Sequence, residues 1–151
     1  MQLTELFQDL MKKVGANMRV YLSHSIRGLK GTDATHEDMR KNCEAIKKVA
    51  EFIRERISGI DLYVPAENET FVLIAFDKEY ITEEQILDVD CTIIDDCDAV
   101  ICRVEAIGDQ LQGGRKIEID HAEATNKPYI VFAHAYEAVN WLVHQIMKGD
   151  Y

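Results

Sequence analysis

The chain predicts a three-layer, doubly wound α/β fold, Rossmann- or flavodoxin-like, with a parallel sheet of four to five strands and an extra N-terminal helix. Three observations carry that expectation. Short apolar, β-branched runs recur at Met18 to Ser23, Ile60 to Val64, Ala99 to Val104 and Pro128 to Phe132. Stretches with apolar residues spaced by three and four separate them. Strands alternating with helices are accommodated by a parallel sheet covered on both faces, and ligands then bind beyond the carboxyl ends of the strands.

Each element has its own signal. Leu3, Leu6, Phe7, Leu10 and Val14 predict a helix over residues 3–14, stopped at Gly15-Ala16-Asn17, so residues 1–17 form an extension and 18–151 one domain. The first strand is followed by a polar loop, His24 to Thr35. Met39, Cys43, Ile46, Ala50, Ile53 and Ile57 predict a long amphipathic helix from His36 to Ile57, ended near Ser58-Gly59. Pro65 to Ile81 reads as irregular, and Thr82 with Gln85 forms a capping box that opens a helix running to about Asp95. After the third strand come a loop, Glu105 to Gly114, and a helix, Arg115 to Thr125. A last helix, Tyr136 to Lys148, closes the chain.

Composition narrows the function classes. The 151 residues carry a formal net charge of -10, which repels the phosphates of a duplex, so nucleic acid is not an expected partner. A small phosphorylated ligand is compatible with that charge, because a few oriented amides and one arginine bind a phosphate locally. The four cysteines, Cys43, Cys91, Cys97 and Cys102, show no C-x-x-C spacing and read as reduced core thiols of a cytoplasmic protein. No apolar run is long enough to span a membrane and the N-terminus lacks a signal-peptide core, so no membrane partner is expected.

Three segments concentrate reactive groups. Tyr21 to Gly28 places Ser23, His24, Ser25, Arg27 and Gly28 where a parallel sheet opens its crevice. Arg27 there suits either a bidentate phosphate contact or a solvated surface charge, and His24 a structural hydrogen bond. Gln112-Gly113-Gly114 leads into the helix that carries Glu118; the glycines let the backbone approach a ligand, and the first-turn amides favour an anion. With Ile117, Ala122 and Ala124 as the apolar side, Glu118 lies beside the stripe, either as a partly desolvated nucleophile or as one more solvated charge. In the preceding helix Ile86, Val89 and Ile93 form the stripe, with Asp90 on its margin and Asp98 ordering the turn into the third strand. The carboxylates at Asp88, Asp90, Asp95, Asp96 and Asp98 raise the question of a metal, but no ligating His or Cys stands at suitable spacing, and none is expected.

Taken in order, these segments resemble the nucleoside 2-deoxyribosyltransferase superfamily over roughly residues 18 to 132. Ser25-Ile26-Arg27-Gly28 looks most like its 2'-deoxynucleoside 5'-phosphate N-hydrolase branch. The resemblance implies that residues 18–151 are a catalytic domain of that type. Glu118, in G-x-x-x-E-I-x-x-A, matches the nucleophile; Asp90, eight residues before Asp98, matches the catalytic aspartate; Tyr21 matches the tyrosine ending the first strand. Ser25 and Arg27 match phosphate-holding residues, and Ser23, Gly28, Gln112, Gly113 and Gly114 are expected to line the same ligand. The chain departs from the pattern at Gln112, where the transferases resembled here carry Asp and the phosphate hydrolases Ser. It departs again in a longer Asp90 to Glu118 interval, and in a last helix without a counterpart of the serine that a neighbouring subunit contributes.

The implied activity is hydrolysis of the base–sugar bond of a (deoxy)nucleoside 5'-monophosphate through a glycosyl–glutamate intermediate, with no cofactor and with a homodimer or higher homo-oligomer as the working unit. Base exchange by a nucleoside 2-deoxyribosyltransferase is the alternative. V-Y-L-S-H-S also resembles the first strand of a TIR domain, which implies NAD hydrolysis, and a non-catalytic nucleotide-binding module is the remaining reading.

Overall fold

The apolar runs that read as strands do pair with one another. A computed structural model describes residues 2–5, 17–106 and 111–149. Its sheet contains β1 (Arg19–Ser23), β2 (Asp61–Tyr63), β3 (Ala99–Arg103) and β4 (Tyr129–Phe132), all parallel, in the order β2-β1-β3-β4. The helices are α1 (His36–Arg56), α2 (Glu69–Asp77), α3 (Glu83–Asp95), α4 (Gly113–Ala124) and α5 (Ala135–Lys148). This is the expected three-layer, flavodoxin-like arrangement, with four strands. After β2 the chain crosses behind β1 to reach β3, so the winding reverses between β1 and β3. In folds wound this way ligands bind beyond the carboxyl ends of the two strands that flank such a reversal.

Side chains alternate across β1 and β3, and that alternation sorts the core into two halves. Val20, Leu22, Ala99 and Ile101 point to one face, where α1 and α5 cover them with Ile46, Ala50, Ile53, Leu142 and Ile146. Tyr21, Val100 and Cys102 point to the other, packed with Ile94 of α3 and Ile119 and Ala122 of α4. Residue 23 has the parity of Tyr21 and so turns toward α3 and α4 as well.

Local signals set most boundaries. Thr35 and Asp38 exchange capping bonds at the start of α1, 3.1 and 2.9 Å, and Thr82 and Gln85 do the same at α3. Asp98 orders the entry to β3, as expected: its carboxylate accepts the Arg19 N–H at 2.8 Å while its own N–H donates to the Arg19 carbonyl at 2.7 Å.

Residues 65–81 are not irregular. Pro65–Asn68 forms a 3-10 turn and Glu69–Asp77 is helix α2. The run Thr70 to Phe76 is apolar on every side, so it has no helical period to detect, and α2 buries none of its residues; Phe71 is 79% exposed. Of the expected N-terminal helix, Leu3 to Glu5 are helical and residues 6–16 lie outside the described part. Among the described residues no helix is long and apolar enough to cross a membrane.

The Asp98 contact gives a test of the entry into β3. Asp98→Ala strands the half-buried Arg19 N–H, and urea unfolding should show a loss of about 1–3 kcal/mol.

Candidate active site

Four of the residues singled out in the sequence meet between the sheet and the α3–α4 layer, at the carboxyl end of β1. Tyr21 and Ser23 come from β1, Asp90 from α3 and Glu118 from α4. Glu118 is only 5% exposed, and Tyr21 and Ser23 are completely buried. The Ser23 hydroxyl donates to Glu118 Oε1 at 3.3 Å, while Glu118 Oε2 and the Tyr21 hydroxyl are buried with no hydrogen-bond partner of good geometry among the described residues. Orphaned buried polar atoms are rare in folded proteins, and each has a cause to be found in strain, a bound water, a ligand or chemistry; Arg19 Nε, His24 Nδ1 and Arg115 Nε are others here. The Tyr21 ring stacks on Tyr63, at the end of β2, with centroids 5.6 Å apart and planes at 21°.

The helices present these carboxylates differently from the sequence reading. The buried face of α4 is Glu118, Ile119 and Ala122, with Ile117 44% exposed, so Glu118 belongs to the stripe itself. On α3, Val89 is 51% exposed and Ile94 fully buried, which turns the inward face by about one position and carries Asp90 with it. Both differences have one cause: two adjacent faces of a short helix each hold apolar residues, and packing against the sheet decides between them.

Burial dominates the electrostatics. It raises the Glu118 carboxyl to about 8; the Tyr21 and Ser23 hydroxyls oppose that rise and the Asp90 charge adds to it. Asp90, also lifted by burial and partly held down by Tyr21, reaches about 6. Tyr21 is pushed far above the ordinary phenol range, by burial first and then by the two carboxylates, so it is a neutral donor. A pair of carboxyls displaced in this way can divide the roles of nucleophile and proton carrier.

The remaining residues fall into place around this centre. Ser25 accepts the Gly28 N–H at 2.9 Å, closing the turn, and Arg27 stands exposed with no ion pair among the described residues. Gly28 has φ +64° and a Cβ there would lie 2.6 Å from Asn42 Nδ2, which itself donates to the Ile26 carbonyl at 2.9 Å, so the turn requires glycine. Gln112 is exposed and makes no capping bond with its side chain. Gly113 has φ +58° with open space where a Cβ would go, whereas Gly114 makes room for Leu87 of α3 at 3.1 Å. Gly114 thus serves helix packing. Ser23, expected among the phosphate contacts, is instead sealed beneath α4 by its place in β1.

Three residues were not picked out as site members in the sequence. Tyr63 had the parity signal of β2. Arg115, three residues before Glu118 on the same face of α4, donates to the Arg103 carbonyl at 3.2 Å and to Glu105 at 3.3 Å, with its Nε buried and unpartnered. His24 is the structural hydrogen-bonder expected: Ala66 N–H donates to its Nε2 at 3.2 Å, and burial lowers its pKa to about 4. A groove of about 230 Å³ also runs between α1 and α2, lined in part by Met39, Cys43, Glu69 and Leu73, but it contains no orphaned buried polar group. Among the described residues no group of three or more His, Cys, Asp or Glu is arranged to hold a metal ion.

No family model, no curated protein and no solved structure matches the chain.

The buried carboxyl has a consequence for stability. Glu118 titrates near 4.5 when unfolded and near 8 when folded, so the folded state holds its proton more tightly; the linked stability is complete below about 4.5 and lost as pH rises through about 8. Glu118→Gln removes this liability. Its melting temperature should match the wild type near pH 5 and exceed it increasingly toward pH 9, measured by calorimetry across that range.

Proposed function

We propose that the protein is an N-glycosidase that hydrolyses the base–sugar bond of a (deoxy)nucleoside 5'-monophosphate, with Glu118 as nucleophile. The observation that carries this reading is the orphaned Glu118 Oε2, buried beside Tyr21 and Asp90 at the switch point between β1 and β3. The resemblance of these same positions to the deoxyribosyltransferase superfamily supplies the reaction.

In this mechanism a Glu118 oxygen bonds the anomeric carbon as the bond to the base breaks, and the base leaves with that electron pair and takes a proton from Asp90. Water then attacks the same carbon, displaces Glu118 and returns a proton to Asp90. Tyr21, a neutral hydroxyl facing both carboxyls, stabilises whichever is ionised. The apolar surroundings that raise the two carboxyls also make the carboxylate a poorly solvated and therefore stronger nucleophile. Arg27, exposed at the crevice loop, is free to meet a 5'-phosphate, which favours the monophosphate over a nucleoside substrate. The same reading includes a homodimer or higher homo-oligomer, by resemblance, and a cytoplasmic location, from the four cysteines read as reduced thiols.

Incubation with nucleosides, their 5'-monophosphates and NAD, followed by chromatography for free base, tests the proposal. Release from monophosphates is expected, and Glu118→Gln should lower it by about 10³-fold or more. Release only from NAD, exchange of bases without hydrolysis, or no release at all would each replace the proposal with another reading. Arg27→Ala should raise KM for monophosphates by about 10–100-fold, the worth of a hydrogen bond to a charged group, and leave nucleosides unaffected.

The pH profile follows from the two carboxyls. Attack needs Glu118 ionised and base departure needs Asp90 protonated, the reverse of the order of their acidities, so the reactive form is a minor tautomer, on the order of one per cent, of the singly protonated pair, and kcat/KM should trace a low bell with limbs near about 6 and about 8. Asp90→Asn should abolish one limb.

A further inference from the structure

We propose that Ser23 is a positioning residue for Glu118, anchoring Oε1 so that Oε2 is the oxygen that bonds the anomeric carbon; the bond-forming half of this statement rests on the function proposed above. Ser23 ends β1, is completely buried, and faces α4 by the same alternation that directs Tyr21. Its hydroxyl donates to Oε1 at 3.3 Å, whereas Oε2 makes no hydrogen bond of good geometry among the described residues, although the Tyr21 hydroxyl also acts on this carboxyl. The terminal torsion of a glutamate is broad and roughly two-fold, so an unanchored carboxylate presents either oxygen in turn. A buried donor on one of them removes that freedom and fixes which oxygen is left without a hydrogen bond of good geometry.

The surroundings direct the serine proton to this task. Cys102 lies opposite Ser23 in the β1–β3 register with its sulfur within reach of the Ser23 hydroxyl, and burial pushes its thiol up to about 11, so it stays neutral and is a weaker acceptor than an ionised Glu118. Beyond Ser23, the titratable groups that act on or sense Glu118 are Tyr21 from β1, Asp90 and Cys91 from α3, and Cys102 from β3, while Arg115, one turn earlier on α4 and also acting on Cys102, is engaged by the Arg103 carbonyl and Glu105. The ionised form of Glu118 therefore depends on the hydroxyls of Ser23 and Tyr21. The Ser23 hydroxyl is turned toward Glu118 Oε1, so its effect on the reaction passes through Glu118.

In the reaction the Oε2 lone pair forms the bond to the anomeric carbon, the carbon–nitrogen bond breaks, and the base departs with its electrons and the Asp90 proton. Oε1 becomes the carbonyl oxygen of the ester, still held by Ser23. Hydrolysis breaks the Oε2 bond, regenerates the carboxylate and returns the proton of water to Asp90.

The test reads Glu118 directly, in the protein without substrate, by NMR titration of carbonyl-labelled glutamate. Ser23→Ala should raise the Glu118 midpoint by about one unit or more, since a hydrogen bond to a charged acceptor is lost. Ser23→Thr, which keeps the hydroxyl, should leave it near the wild-type value, and Ser23→Cys, a weaker donor, should fall between them. In kinetics Ser23→Ala should lower kcat at least about 10-fold with little change in KM and carry the upper limb of the pH profile upward, with Thr restoring both. An unmoved midpoint in Ser23→Ala, or a kcat loss with an unmoved limb, overturns the anchoring role. A midpoint that moves in a protein releasing no base from any substrate upholds the anchor and overturns the bond-forming assignment together with the proposed function.

Discussion

The site depends on keeping a carboxyl group out of water without neutralising it by a cation. Glu118 is 5% exposed and is met by hydroxyls and another carboxyl. Removing a charge from water costs several kcal/mol unless it is paired or protonated, and burial accordingly holds the proton on this carboxyl up to about pH 8. The parallel sheet makes the arrangement possible. Its central strands hold the floor rigid through β1 and β3 pairing, and α3 and α4 close over it with aliphatic side chains.

The alternation along β1 ties this floor to the rest of the molecule. Val20 and Leu22 lock the strand onto α1 and α5, and the residues between and after them, Tyr21 and Ser23, are thereby committed to the reactive side. A one-residue slip would exchange the two sets, placing a phenol and a hydroxyl in the aliphatic layer and two aliphatic side chains against the carboxyls. Asp98 opposes such a slip from the strand entry, with its reciprocal bonds to Arg19.

Much of this was legible in the residues. The strands declared themselves by β-branched runs, α1 and α3 by period and capping boxes, and the crevice by the loop that follows the first strand. What escaped was which face a short helix would turn inward. On α4, Ile117 and Ile119 are two apart and compete for the core; the structure buries Ile119 and exposes Ile117, and Glu118 moves inward with that choice. On α3 the same competition exposed Val89. Helix α2 escaped for the opposite reason, being apolar on all sides and so without a period. The contact of Ser23 with Glu118 was hidden because a serine at a strand end looks the same whether it faces a ligand or a neighbouring helix.

Gly114 gives the acidity of the site a mechanical origin. Its missing side chain lets Leu87 come to within 3.1 Å of where a Cβ would stand, and at the far end of the same pair of helices His121 and Asp95 meet at 2.7 Å. The interval between α3 and α4 is thus pinned at both ends, by an absence at one and a contact at the other. Asp90 and Glu118 hang from these two helices, one on each, so their mutual repulsion is a function of helix spacing. A methyl group at position 114 would meet the tip of Leu87 at 3.1 Å, and only the part of that contact not absorbed by the leucine side chain would reach the spacing of the two carboxyls.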